Sequence, residues 1–81
     1  MEKAEINRIG SFFSDVYEGI CDGDDHTTMQ LQLTELYRII RILMDKTFET
    51  KDQKLKVLLA SMEYTARRCK DHIEQRLAVR N

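Results

Sequence analysis

Residues 29–73 read MQLQLTELYRIIRILMDKTFETKDQKLKVLLASMEYTARRCKDHI. Two apolar series run through them at alternating spacings of four and three. The first is Met29, Leu33, Leu36, Ile40, Leu43; the second is Leu55, Leu59, Met62, Ala66, Cys69, Ile73. Residues three and four apart stack on the same face of an α-helix, so each series draws one apolar stripe. The polar segment Glu49-Thr50-Lys51-Asp52 between them is long enough only for a tight reversal. The stretch therefore predicts a long antiparallel helical hairpin. Folding about residues 50–52 sets Met44 by Leu59, Ile40 by Met62, Leu36 by Ala66, Leu33 by Cys69 and Met29 by Ile73. Every partner is apolar, which is the agreement between local pattern and global fold that a specified structure needs.

Working outward from the hairpin, a first helix is expected over about residues 3–21. Ile6, Ile9, Phe13, Val16, Tyr17 and Ile20 share one side of it, with Phe12 at the margin. Gly10 and Gly19 lower its helix propensity by up to ~1 kcal/mol each, so it depends on docking. Cys21 to Thr27 form the connection, with Gly23 as the helix stop. Thr27 with Gln30, and Thr50 with Gln53, match the Thr-x-x-Gln capping box, placing the other helices at about 28–48 and 51–77. The expected fold is all-α: a three-helix bundle built on the hairpin and completed by dimerisation.

The whole chain of 81 residues has 13 basic and 14 acidic residues, a net charge of −1, no proline and three glycines. A core this small seldom supplies more than ~3–5 kcal/mol, and small proteins often add disulfides, metal or a second copy of themselves. Two cysteines 48 positions apart, each in a helical pattern, suit neither a disulfide scaffold nor a zinc knuckle. That leaves association with a second copy. The mixed charge gives no reason to expect nucleic acid or anionic lipid. The charged start Met1-Glu2-Lys3-Ala4-Glu5 and the short apolar cluster Ile39–Met44, broken by Arg41, predict neither a signal peptide nor a membrane span. A cytoplasmic protein is expected.

No stretch spells a catalytic or cofactor motif. The acidic loop of Asp22, Asp24, Asp25 and His26 fails the calcium-loop pattern, with His26, Thr27 and Leu33 at the third-ligand, glycine and twelfth positions. It reads as a solvated loop with helix caps, and no metal is expected. Cys69 falls on the core seam, where cysteine acts as a small hydrophobe, and Cys21 at a helix C-terminus, whose dipole disfavours a thiolate. His72 reads as a surface histidine.

Helices two and three carry more apolar residues than one seam requires. Leu31 and Ile42 fall opposite the main face of helix two with Ile39 at its shoulder, and Val57 and Tyr64 do the same on helix three. Scattered apolar residues are ordinary on protein surfaces, but these align over several turns and form the candidate interaction surface. Arg67, Arg68, Lys70 and Arg76 form a candidate basic patch, interrupted by Asp71 and Glu74. The expectation is a non-enzymatic module without cofactors that docks a helical surface on a partner as regulator, adaptor or inhibitor. The partners would be a second copy and an unidentified protein. The alternative is a nucleic-acid-associated regulator using the basic half of helix three.

Overall fold

The computed structural model describes residues 2–22 and 25–79, without the side chains of residues 20–22. Gly23, Asp24 and Arg80, and the side chains of Ile20, Cys21 and Asp22, lie outside the described residues. The chain forms α1 (Lys3–Asp22), α2 (His26–Glu49) and α3 (Gln53–Val79). α2 and α3 pack along their length, α1 touches α3 more sparsely, and α1 meets α2 less still. The molecule is 44 Å long, close to what α3 alone spans at ~1.5 Å per residue.

Both hairpin helices begin later or earlier than the Thr-x-x-Gln boxes place them, because aspartates cap them instead. The Asp25 carboxylate accepts the Thr28 amide at 2.7 Å, leaving Thr27 inside α2. Asp52 Oδ1 accepts the amides of Lys54 at 3.0 Å and Leu55 at 3.4 Å. Thr50 closes α2, its amide donating to the Lys46 carbonyl. A carboxylate at this position satisfies a free amide and places negative charge at the positive end of the helix dipole, which a threonine hydroxyl does not.

The core forms two connected clusters. Toward the open end, Val16 of α1 is buried with Met29, Leu36, Ile40, Ala66, Cys69 and Ile73, with Leu33 packed against them. Toward the turn, Ile9 of α1 is buried with Ile39, Leu43, Leu59 and Met62. Phe12 and Phe13 pack against both. The expected pairings of Met29 with Ile73, Leu33 with Cys69 and Leu36 with Ala66 each fall within one cluster. One other needs correction: Leu43, not Met44, is buried with Leu59, and Met44 is half exposed; Ile40 and Met62 are both buried, in adjoining clusters that Phe12 and Phe13 bridge. The correction moves the buried residue one position back along α2, toward the flank that α1 covers.

α1 starts near the turn and ends near the open end, as Ile9 and Val16 show, so the three helices run up, down and up. Its contact with the hairpin is narrow. Tyr17, expected on the packed side, is mostly exposed at the rim beside Phe13, Thr65 and Cys69. A Cβ at Gly10 would meet nothing within 4 Å, so that glycine answers to no close approach.

Candidate interaction surface

The five apolar residues expected to form one surface are separated by the fold. Leu31, Val57 and Tyr64 are exposed (68%, 59% and 62%), but Leu31 points away from the seam on α2 and the other two point away from it on α3. Residues directed away from a shared seam on its two helices look in opposite directions, so they make no common face. Ile42 is half-buried in a groove of 410 Å³ between α1 and α2, with Ile9 and Phe12 across from it. Ile39 is 2% exposed and belongs to the core. It is removed from the candidate surface because α1 lies over exactly that shoulder of α2, which a helical wheel of α2 alone does not reveal.

The other flank of α2 is the one left uncovered. Tyr37, Met44 and Phe48, apparent on the wheel only as a widening of the core stripe, are 50%, 48% and 91% exposed. With half-buried Leu33 they keep to one line, at spacings of four, seven and four, on the side of the hairpin opposite α1. The 4-7-4 rhythm was the signal for this line; what it lacked was which flank α1 would take.

Polar side chains of α3 border the line. Tyr37 Oη donates to Glu74 Oε2 at 3.0 Å. Lys70 Nζ donates to Glu74 Oε1 at 2.9 Å, pairs with Asp71 at 3.0 Å, and lies 5.7 Å from the Tyr37 ring centroid. Lys70 first and Tyr37 second hold the Glu74 carboxyl below the usual range, while Glu74 pushes the Tyr37 hydroxyl and the Lys70 ammonium up. A depressed carboxyl contributes at neutral pH and is lost as pH falls through its folded value; a raised tyrosine or lysine contributes until pH rises through its own. The link therefore holds across neutral pH. Arg67 pairs with Glu63 at 2.9 Å and also donates from Nη2 to Met44 Sδ at 3.4 Å.

The basic residues thus divide. Arg67 and Lys70 turn toward α2 and are ion-paired, whereas Arg68 donates to the Tyr64 hydroxyl at 3.3 Å and lies 5.8 Å from its ring centroid. Arg76 is half-buried near the end of α3. Cations already matched by carboxylates release fewer counterions on meeting phosphate, which weakens the electrostatic side of the nucleic-acid alternative.

No family model, curated protein or solved structure matches this chain. The side chains themselves must carry the reading. Burial pushes the Cys69 thiol up, in keeping with a packing role. His72 is exposed beside Arg68, Asp71 and Gln75. Among the described residues there is no group of three His, Cys, Asp or Glu placed to hold a metal, and no helix long and apolar enough to cross a membrane. What the geometry does supply is an exposed apolar line on α2 bordered by polar side chains of α3.

Proposed function

We propose that this protein is a non-enzymatic interaction module that works by docking the uncovered side of its α2–α3 hairpin on another protein surface. One observation carries the reading: α1 covers a single side of the hairpin, and Tyr37, Met44 and Phe48 stand exposed on the other. Aromatic residues and methionine are the types enriched at interface cores, where a few well-placed anchors dominate affinity. The thioether of Met44 adapts to irregular partners, and the Tyr37–Glu74–Lys70 link fixes the polar edge. A fully exposed phenylalanine in so small a protein withholds apolar area from a core that has little to spare.

Site-specific photo-crosslinking tests this. Benzoylphenylalanine replacing Phe48 or Met44, in cells of the native host, should yield discrete protein adducts on irradiation. The same group replacing Asp45, exposed on the outward side of α2, should not. Equal labelling from all three positions, or none from 44 and 48, would end the proposal.

A further inference from the structure

A second row of residues runs along α2 beside the edge of α1. Leu31, Glu35, Arg38 and Ile42 recur at spacings of four, three and four, which keeps them within ~60° of one another around the helix. Leu31 is 68% exposed, Arg38 is exposed, and Glu35 and Ile42 are half-buried, so all four reach the surface. Read from either end, the row runs apolar, charged, charged, apolar, and the two charges are opposite. We propose that this flank is where two copies of the chain meet, α2 against α2, antiparallel about a two-fold axis level with the midpoint of Leu36 and Tyr37. The contact is on a different side of α2 from the Tyr37–Phe48 line and does not depend on it.

A two-fold axis requires the surface to complement itself. Along α2, the midpoint of Leu31 and Ile42 coincides with the midpoint of Glu35 and Arg38. A single axis position therefore sets Leu31 over the partner's Ile42 and Glu35 over the partner's Arg38, and each pair occurs twice. Alternation of three and four is also the spacing of a coiled-coil seam. Sliding one copy by a heptad breaks the match, since Leu31 then meets the partner's Glu35 in one direction and Glu35 meets the partner's Asp45 in the other. Thr28 and Asp45, next along the row at either end, are polar and close the contact. The structure also supplies room. Ile42 lines the groove of 410 Å³ whose other wall includes Ile9 and Phe12 of α1. The partner's Leu31 comes to the mouth of that groove, so an exposed leucine meets an open apolar hollow. Arg38 holds Glu35 of its own chain through Nε and Nη2, which leaves Nη1 for the partner's Glu35. The four charged groups then alternate in sign around the axis. A charged layer inside a seam selects register more than it adds stability. The apolar layers on either side supply the attraction, and with only two of them the dimer is weak and reversible.

Sedimentation equilibrium of the full chain tests the contact, with circular dichroism confirming that each variant is helical. The wild type should pass from monomer to dimer as its concentration rises. Leu31→Glu should weaken association by about tenfold or more and keep its helicity, because the side chain is exposed in the single copy. Glu35→Arg and Arg38→Glu should each weaken it by a similar factor, since either sets like charges face to face. The double variant should recover most of that loss, because only the swapped pair restores opposite charges across the axis. Benzoylphenylalanine replacing Leu31 should give an adduct of twice the chain's mass. A wild type that stays monomeric at the highest concentration reached, a Leu31→Glu variant that associates like the wild type, or a double variant no better than the singles overturns the proposal. A dimer broken by Met44→Glu and not by Leu31→Glu puts the second copy on the docking side and overturns it as well. A dimer that depends on Leu31, found together with no adducts from positions 44 and 48, supports this contact and ends the docking reading.

Discussion

Replacing Leu43 by alanine should remove about 3 kcal/mol of stability, whereas Met44→Ala, one position along, should cost less than ~1 kcal/mol in dilute solution. Leu43 is fully buried among Ile9, Ile39, Leu59 and Met62. Truncating it removes the transfer energy of its methyl groups and leaves a cavity that rigid helices on three sides cannot close. Met44 is half exposed and touches the hairpin through Arg67, so alanine there leaves no void. Each kcal/mol moves the thermal midpoint of a domain this size by ~4–8 °C. The Leu43 variant should therefore melt roughly 12–24 °C lower, and much of it should be unfolded at 37 °C if the total is the ~3–5 kcal/mol usual for so small a core. Thermal denaturation followed by circular dichroism separates the two variants. Equal losses at 43 and 44 would mean that the register of the hairpin is not the one described.

Ile9→Asp should be the more disruptive change, costing about 3 kcal/mol or more. Ile9 is the α1 residue buried over the turn end of the core, and an aspartate there meets no cation in that cluster. Its charge must be desolvated among apolar side chains, or α1 must lift away to bring it to water and to Arg8 and Arg38 on the neighbouring groove. Lifting is the cheaper route because α1 holds on through few side chains and contains Gly10 and Gly19, both unfavourable in a helix interior. Ile39, Leu43, Leu59 and Met62 would then be uncovered on a hairpin that keeps its own seam. The expected signature is partial loss of helicity, faster amide exchange in α1 than in α2 and α3, and binding of a hydrophobic dye. A variant with wild-type stability and uniform exchange would show that α1 is not docked through this face.

These two residues also show where the sequence was sufficient. The hairpin was legible because its stripes repeat over about four and five turns, longer than chance spacing, and because the opposing series agree from Met29 and Ile73 inward as far as Ile40 and Met62. Helix ends were legible only to within a few residues. Aspartate and threonine stand close together before each helix, both can cap, and the path of the incoming chain decides between them. The surface was the least legible part. α2 is apolar on both flanks of its seam, through Ile39 and Ile42 on one side and Tyr37, Met44 and Phe48 on the other. A single covering helix can take only one flank, and nothing in α2 itself says which. α1 takes the isoleucine flank, so Ile39 leaves the candidate surface and the Tyr37–Phe48 line enters it. Leu31, Val57 and Tyr64 were read correctly as outward-facing, but outward from two helices is two directions.

The methionines provide the most direct test of the central claim that one side of the hairpin is core and the other is a docking face. Met29 and Met62 are 1% and 8% exposed in the two clusters, and Met44 is 48% exposed on the open side. With labelled methionine methyl groups and a soluble paramagnetic agent, the Met44 signal of the most dilute sample should be strongly broadened while those of Met29 and Met62 persist. A Met44 methyl that persists beside the agent, or Met29 and Met62 broadened along with it, would contradict the account.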